Sequence, residues 1–412
     1  MKPRHVAILG AGPIGLEAAL AAAEHGLSLR CYEAAAAVAG NIRSWGHVQL
    51  FTPWSMNVSP RVRAALDAAG QSLPDGDACP TGAEMVDRLL EPLAALPTLA
   101  PHICLQTRVV EVGRDGLLKN DAIGMPSRGD RPFRLLLEDA QGAERVEYAD
   151  IVLDCTGTYH HPNALGASGV HAPGERGLSE DIIRGIPDLD ALAFEGDASG
   201  WGGQRILLVG AGHSAQTTAR DLEGLVRQRP DTIVVWAIRN ASPTFGVVED
   251  DELPSRDVLA RHARRLALEE TSPFDVRLGC TVEAVERSAT GIVVSLRRES
   301  TDVETVVVDR IVSLTGSVGD ARLYRQLQVH ECWATSGPMR LAAALLASPS
   351  TDCLTQGSHG ADTLRNPEPN FFILGSKSYG RNTTFLLRVG WQQVEEVFSL
   401  IGATVLVAGD NP

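Results

Sequence analysis

The chain has 412 residues, of which 44% are hydrophobic and 21% charged, and its formal net charge is −14. This balance is typical of a globular chain of two or three domains and argues against a disordered or fibrous protein. The negative charge argues against general electrostatic attraction to nucleic acid or to an anionic membrane. A bound phosphate would therefore have to be held locally, by backbone amides and a few arginines.

Seven cysteines are spread along the chain, and no two of them have C-x-x-C spacing. The absence of C-x-x-C pairs excludes the usual redox dithiol and a zinc knuckle, and we predict no metal site. An odd number of cysteines without a framework indicates a reducing compartment, so we expect a cytoplasmic protein. No apolar run approaches the 18 residues of a membrane span. The basic, then apolar, amino terminus resembles a secretory signal, but a strand entering a glycine turn explains it better.

A first glycine turn lies in "AILGAGPIGLEAA", residues 7–19. The pattern predicts a buried parallel strand over residues 5–9, then G-x-G-x-x-G, then a helix ending near Gly26. Such a turn lets a pyrophosphate approach the backbone at a helix amino terminus. Glu33 ends the next predicted strand, where a carboxylate can accept hydrogen bonds from both ribose hydroxyls of an adenosine. The predicted dinucleotide site comprises Gly10, Gly12, Pro13, Ile14, Gly15 and Glu33.

A second glycine turn repeats this plan in "LLVGAGHSAQTTA", residues 207–219. A strand over residues 205–209 precedes it, and "TIVVWAIRN" predicts the following strand. That strand ends in Arg239 instead of an acid. Because arginine can grip a 2′-phosphate that an acid would repel, this site is predicted to select NADP. The predicted site comprises Gly210, Gly212, His213, Ser214, Ala215 and Arg239.

An internal repeat supports two related domains. "DIVLDCTG", residues 150–157, and "DRIVSLTG", residues 309–316, share an aspartate, an apolar strand and a final Thr-Gly that ends at Gly157 or Gly316. We predict an α/β protein with two Rossmann-like, three-layer dinucleotide-binding domains. The first comprises residues 1–159 plus 318–412, and the second, residues 160–317, is inserted into it. Residues 113–132 and 195–204 are predicted loops.

Together, the turns and the repeat resemble the two-dinucleotide-domain flavoproteins, a class that contains thioredoxin reductases and flavin-containing monooxygenases. "GAGHSA" resembles the turn that holds NADPH in the monooxygenase branch, and "CTGTYHHP" and "GVHAPGE" resemble its interdomain crossing. The resemblance covers nearly the whole chain and implies FAD in the first domain and NADPH in the second. The missing C-x-x-C departs from thioredoxin reductases.

The resemblance also implies roles for the segment "FFILGSKSYGRNTTFLL" near the carboxyl terminus. A strand is predicted over residues 371–374, and Gly375 would lie at the ribityl chain, although Ser376 stands where the class has aspartate. A helix predicted to begin near Thr383 would point its amino terminus at the flavin, with Asn382, Thr383 and Thr384 also explicable as ordinary helix caps. In the adjoining loop, Lys377, Tyr379 and Arg381 could face an anionic substrate or only solvent.

Residues 45–60, "WGHVQLFTPWSMNVSP", form a proline-broken aromatic segment. The resemblance implies that Asn57 lies beside the reactive flavin carbon and is catalytic, the alternative being a turn asparagine. Trp45 and Trp54 are core residues or pocket walls, and Trp54 is a substrate-site candidate. His160 and His161 follow the first crossing. Adjacent histidines do not share one face of a strand, so they predict no metal site, but one could line the cleft.

Three functions remain open from the sequence. The first is an NADPH-dependent FAD monooxygenase that oxygenates a small-molecule nitrogen, sulfur or ketone group with molecular oxygen. The second is a flavoprotein reductase that passes electrons to an external acceptor. The third is a redox-sensing binding protein. We predict no nucleic-acid or membrane partner, and a homodimer is an alternative to a monomer.

Overall fold

A computed structural model describes residues 4–189, 200–298, 302–350 and 352–409. The chain divides into two compact units. Unit 1 comprises Met1–His161 and Val318–Pro412, and unit 2 comprises Pro162–Ser317. Strands and helices are numbered in chain order.

Unit 1 is built on a five-stranded parallel sheet. Its strands are β1 (His5–Leu9), β2 (Ser28–Tyr32), β3 (Ile103–Cys104), β7 (Ile151–Asp154) and β18 (Phe371–Ile373). They lie in the order β18-β7-β1-β2-β3. Four of the five residues of the central β1 are buried, which explains its unbroken apolar sequence, since helices or other strands cover both faces of such a sheet.

Unit 1 also contains an antiparallel sheet, a short strand pair and several helices. Strands β4 (Thr107–Arg114), β5 (Phe133–Asp139) and β6 (Glu144–Ala149) form an antiparallel sheet, and β16 (Glu331–Cys332) pairs with β17 (Gly337–Pro338). The helices are α1 (Pro13–Glu24), α2 (Gly40–Arg43), α3 (Trp54–Asn57), α4 (Pro60–Ala68), α5 (Gly82–Met85), α6 (Glu91–Ala94), α9 (Met339–Ala347) and α10 (Leu387–Gly409). Helix α1 packs against α10, and both contribute to one apolar core.

Unit 2 repeats the plan on a second five-stranded parallel sheet. Its strands are β8 (Ile182–Ile183), β9 (Arg205–Val209), β10 (Ile233–Ile238), β11 (Asp275–Leu278) and β15 (Arg310–Ser313), in the order β11-β10-β9-β15-β8. Helices α7 (His213–Gln228) and α8 (Pro254–Leu268) pack together. Strands β12 (Cys280–Ser288), β13 (Gly291–Arg298) and β14 (Val303–Val308) form an antiparallel sheet.

The predicted α/β class with two Rossmann-like parallel sheets is confirmed. The strands predicted at residues 5–9, 205–209 and 371–374 are present as β1, β9 and β18. The last helix, however, begins at Leu387 and not near Thr383. Of the loop predicted at residues 195–204, residues 195–199 lie outside the described part of the chain. Within the described part, no helix has the length and apolar character needed to cross a membrane.

Candidate functional site

The parallel strands of unit 1 align their carboxyl ends at the first glycine turn, residues 10–15. Leu9 pairs with Tyr32 of β2 on one side and with Asp154 of β7 on the other. The Gly10 amide donates to the Tyr32 carbonyl over 2.8 Å. The residues that follow these strands therefore meet at one edge of the sheet, where parallel α/β sheets bind their ligands.

Glycine stands at the three positions of this turn for different structural reasons. Gly10 has a φ of +94°, a conformation that favours glycine. A Cβ on Gly15 would lie 1.8 Å from the Gly10 carbonyl oxygen, so only glycine lets α1 pack this closely on the turn. Gly12, in contrast, has extended backbone with a φ of −82°, and a Cβ there would meet no atom within 4 Å. The absence of a side chain at Gly12 is thus unexplained by the protein itself and fits a ligand's close approach.

Glu33 closes onto the same turn. Its carboxylate accepts from the Ala11 amide over 2.8 Å and from the Ala35 amide over 2.9 Å. These bonds fix the carboxylate at the end of β2, and Glu33 lines the cavity described next. Helix α1 has no side-chain cap at its amino terminus, so its first amides stay available to an anion.

A cavity of about 790 Å³ opens above these residues, a volume in the usual range for ligand sites. It is lined by a set of predicted cofactor-binding residues: Gly10, Gly12, Pro13, Ile14, Glu33, Gly157 and Gly375. Gly15 lies behind the turn as a packing residue. Gly157 and Gly375 have φ values of +70° and +73°, so their backbones reach the cavity in conformations that favour glycine.

Aromatic side chains form another part of this wall. Trp45 and Tyr159 both line the cavity, with ring centroids 6.1 Å apart and nearly parallel planes. The Trp45 indole nitrogen is buried and has no hydrogen-bond partner among the described residues. A buried indole N–H normally has an acceptor, so this donor fits a ligand oxygen or nitrogen in the cavity. Together with the open space at Gly12, this donor fits a polar ligand in the cavity.

The sequence analysis missed the contribution of strand β4. Residues 107–111 line the cavity, and the pairing of β4 with β5 shifts register between Val109 and Glu111. Val110 thus has no opposite residue on β5 and lies at a bulge on the cavity wall. A bulge of this kind has no sequence signal in "TRVVEVGR", since every residue is compatible with a regular strand.

Asn57 is not among the residues that line the cavity. Its side chain is buried, and its amide nitrogen donates to the carbonyls of Thr52 and Pro53 over 2.8 and 2.9 Å. Its amide oxygen accepts from the Thr52 hydroxyl over 3.0 Å. Because both N–H groups are used within its own turn, this geometry argues against the predicted flavin contact. It corresponds to the alternative, a turn asparagine.

The predicted substrate residues are also not brought to the cavity. Trp54 is 3% exposed and belongs to the core, and Tyr379 is 1% exposed and donates its hydroxyl to the Gly357 carbonyl over 2.7 Å. Arg381 is exposed and does not line the cavity. For Tyr379, the cause is the short helical turn Gly375–Tyr379, which buries its side chain.

Asn382, Thr383 and Thr384 precede the last helix instead of beginning it. The Asn382 carboxamide oxygen accepts from the Thr384 amide and hydroxyl over 2.9 and 2.7 Å, which closes a tight turn. Helix α10 then begins at Leu387, and Phe385 and Leu387 line the cavity. The helix thus begins four residues later than predicted, with its first residue on the cavity wall, and its approach to the flavin stays a prediction.

A buried ion pair supports the cavity from behind. The Lys377 ammonium donates to Asp154 over 2.6 Å and to the Thr156 hydroxyl over 3.1 Å, and the side chains of Lys377 and Asp154 are at most 1% exposed. This pair ties the loop after β7 to the loop after β18, and both loops line the cavity through Thr156 and Ser376. The prediction that Lys377 faces a substrate or solvent is therefore wrong.

Unit 2 carries the second glycine turn, residues 210–215. Gly210 has a φ of +127°, and a Cβ on it would lie 2.4 Å from the Leu314 carbonyl oxygen. A Cβ on Gly212 would meet no atom within 4 Å, and the same is true of Gly12 in unit 1. Helix α7 has no side-chain cap at its amino terminus. His213, Ser214 and the buried Ala215 form the first residues of α7. Burial, together with the nearby Arg256 guanidinium, lowers the pKa of His213, which favours its neutral form.

Arg239 and Gly316 complete the predicted second site. Arg239 follows β10, whose end pairs with β9 directly before the turn, and its side chain is exposed and forms no ion pair with any described residue. It is thus available to a phosphate. Gly316 has a φ of +83°, and its carbonyl accepts from the Asn163 amide over 2.9 Å. In the described ranges, no cluster of three or more His, Cys, Asp or Glu side chains could hold a metal ion.

Comparison with known proteins identifies the family of this chain. Residues 4–333 match the model of the family described as pyridine nucleotide-disulphide oxidoreductase. No curated protein matches the sequence.

Solved structures that cover 98% of this chain include the following three. A bacillithiol disulfide reductase from Bacillus cereus is 16% identical, with 99% of that chain covered and a TM-score of 0.68. An ornithine N-hydroxylase from Kutzneria sp. 744, whose structure is named with reduced FAD and NADP⁺, is 15% identical, with 99% covered and a TM-score of 0.66. A cadaverine monooxygenase from Erwinia amylovora, bound to FAD, is 14% identical, with 95% covered and a TM-score of 0.62. At these identities the likenesses show the fold alone.

Proposed function

The chain belongs to the pyridine nucleotide-disulphide oxidoreductase family, and we propose that it is an FAD- and NADPH-dependent monooxygenase. Its substrate would be a small molecule that receives one oxygen atom on a nitrogen, a sulfur or a ketone group. The balanced reaction for an amine consumes one amine, one O₂, one NADPH and one proton, and yields the hydroxylamine, NADP⁺ and water. The family membership and the FAD and NADP⁺ named with structural neighbours support both cofactors.

FAD is assigned to the unit 1 cavity. The pyrophosphate would lie against Gly12 and the free amides of α1, and Glu33 would accept the ribose hydroxyls. The unpartnered indole N–H of Trp45 would donate a hydrogen bond to the ligand. The Lys377–Asp154 pair fixes the loops that follow β7 and β18. When bound, FAD would supply the chemistry of accepting a hydride from NADPH and passing two electrons onward.

NADPH is assigned to the second glycine turn. Gly212 and the amino terminus of α7 would face its pyrophosphate, and Arg239 would bind the 2′-phosphate. Because the lowered pKa of His213 favours its neutral form, this residue adds no positive charge to the turn. The selectivity for the 2′-phosphate would therefore depend on Arg239.

The absence of a dithiol from the described cavity wall argues against an internal disulfide relay and favours a flavoprotein that passes its electrons on directly, as a monooxygenase does. Cys155 is the one cysteine among the described residues that line the cavity, and all seven cysteines are free thiols. Burial raises the pKa of the Cys155 thiol well above its usual value, with the neighbouring Asp154 charge adding to the effect. A protonated, solitary thiol is a poor nucleophile and cannot form an intramolecular disulfide relay. Electrons would then leave to oxygen or to an external molecule.

The second candidate is a reductase for such an external acceptor. The Bacillus cereus neighbour, a disulfide reductase, favours it. Oxygen consumption separates the two functions. The FAD-loaded protein is mixed with NADPH and, in turn, with amines, thiols, sulfides and ketones, in an oxygen electrode with and without catalase. A monooxygenase consumes oxygen that catalase does not return once the right substrate is present. A reductase consumes NADPH with added quinone or disulfide, and any oxygen it uses is partly returned by catalase.

A further inference from the structure

A histidine and an aspartate meet on the wall of the unit 1 cavity. His161 Nε2 lies 3.1 Å from Asp320 Oδ2, and both residues line the cavity. The backbone holds His161 in place, because its amide donates to the Thr158 carbonyl over 3.1 Å and its carbonyl accepts from the Val318 amide over 3.0 Å. The two side chains are 32% and 29% exposed, so protons can reach them from solvent.

Arg322 holds the aspartate in its charged form. Its Nε and Nη2 donate to the two Asp320 oxygens over 3.0 and 3.1 Å, and its backbone amide donates over 2.9 Å. Burial raises the pKa of Asp320, but these hydrogen bonds outweigh it and lower the pKa below the usual value. An ionised Asp320 orients the imidazole so that the proton of the neutral ring stays on Nε2. Nδ1 is then an acceptor, and it has no hydrogen-bond partner among the described residues.

The charges around His161 keep its ring neutral in the absence of further negative charge. Burial lowers the pKa of His161, and the nearby Arg322, Lys377 and His160 lower it further, whereas Asp320 raises it. The net direction is below the ordinary value, so the ring is neutral at pH 7. A new negative charge inside the cavity would act in the same direction as Asp320 and favour the protonated ring.

We propose that His161 binds one solvent proton at Nδ1 when the FAD assigned to this cavity is reduced. A hydride from NADPH would bring two electrons and one proton to the bound FAD, and would add one net negative charge to the cavity. The proton bound by His161 cancels that charge and is available to the later step that consumes a proton. Asp320 acts as a positioning residue, and Arg322 keeps it ionised. The proposal rests on the proposed function only in that FAD occupies the cavity and accepts electrons.

The midpoint potential of the bound flavin, measured against pH, tests this proton uptake. Each proton taken up by a two-electron couple adds a slope of about 30 mV per pH unit. The unaltered holoenzyme should show this additional slope over one pH interval, which starts at the pKa of His161 in the oxidised protein. His161→Asn should lose the additional slope. The control His102→Asn changes a histidine outside the cavity wall and should keep it.

Two further variants test the positioning roles with opposite signs. Asp320→Asn should move the start of the interval to lower pH, because Asp320 raises the pKa of His161. Arg322→Gln removes a charge that lowers this pKa and should move the start to higher pH. A purely structural role for the pair would not produce opposite shifts. Coincident curves for His161→Asn and the unaltered protein would overturn the proposal.

Flavin content and NADPH-dependent bleaching are measured on the same samples. If the unaltered protein binds no FAD, the proposed function fails. If it binds and reduces FAD while the potential curves coincide, only the proton uptake by His161 fails. Should His161→Asn not retain FAD, ¹⁵N-histidine NMR of the unaltered holoenzyme decides instead. One histidine whose pKa rises on reduction, and which shifts in Asp320→Asn, supports the proposal, and no such histidine overturns it.

Discussion

Gly12→Val and Gly15→Ala should fail in different ways, although the two glycines lie three residues apart. The added side chain at Gly15 would place a Cβ 1.8 Å from the Gly10 carbonyl oxygen. Ordinary overpacking costs about 1–3 kcal/mol, and a clash with backbone lies at or above the upper end. With about 2–4 °C per kcal/mol in a domain of this size, Gly15→Ala should melt at least about 5 °C lower.

At Gly12 the same reasoning predicts a normal fold and a lost ligand. The position has extended backbone that valine adopts, with open space around it, so the stability of the FAD-free protein should change by less than about 0.5 kcal/mol. Blocking one charge-assisted hydrogen bond to the pyrophosphate removes about 1.5–3 kcal/mol, so the Kd for FAD should rise roughly 10- to 100-fold.

The assay compares thermal melts of the FAD-stripped proteins with FAD titrations monitored by flavin fluorescence. Gly12→Val should have an unchanged melting temperature and a weaker affinity for FAD, whereas Gly15→Ala should have a lower melting temperature. Unchanged FAD affinity in Gly12→Val would refute the placement of FAD on the first glycine turn. An equally low melt for both variants would refute the claim that open space surrounds Gly12.

Other variants test the remaining sites. Arg239→Ala should raise the KM for NADPH about tenfold or more and leave that for NADH nearly unchanged in flavin-reduction assays, because a charge-assisted bond is worth about 1.5–3 kcal/mol; equal use of both nucleotides by the unaltered protein would contradict the assignment. Burial raises the pKa of Glu175, but hydrogen bonds from Leu165 and Arg184 lower it to about 2. This stabilisation is present above pH 4.5 and is lost as the pH falls towards 2. Glu175→Gln should therefore lower the free energy of unfolding in urea at pH 7 by about 1–3 kcal/mol, the usual cost of removing a partner from buried hydrogen bonds, and by less below pH 4.5; a pH-independent difference would disprove the linkage. Asn57→Ala should lower stability by about 1 kcal/mol without raising the fraction of consumed oxygen that appears as peroxide; peroxide in place of product would restore its predicted catalytic role.

The sequence predicted the sheets well because their determinants are local. The apolar runs of β1 and β9 and the glycine spacings after them restrict the backbone to a strand, a tight turn and a helix start. The same regularity placed seven predicted residues on one cavity wall. The position of Arg239 at the end of β10 follows from the same regularity, and its role in binding the 2′-phosphate stays a prediction.

Predictions that depended on side-chain direction were less successful. Tyr379 and Lys377 lie in a short polar segment, yet the helical turn around them buries both side chains. Asn57 has the right residue type, but its carboxamide is satisfied by carbonyls four and five residues earlier. The His161–Asp320 contact joins residues 159 positions apart along the chain, and no local pattern announces it.

Mass spectrometry of the product formed under ¹⁸O₂ tests the central claim most directly. The FAD-loaded protein is incubated with NADPH and the substrate that raises its oxygen consumption, in ordinary water. A monooxygenase incorporates one ¹⁸O atom into the product, with NADPH, oxygen and product in a ratio near 1:1:1. NADPH oxidation that yields only labelled peroxide, or that requires a quinone or disulfide and leaves the product unlabelled, would contradict the account and establish the reductase.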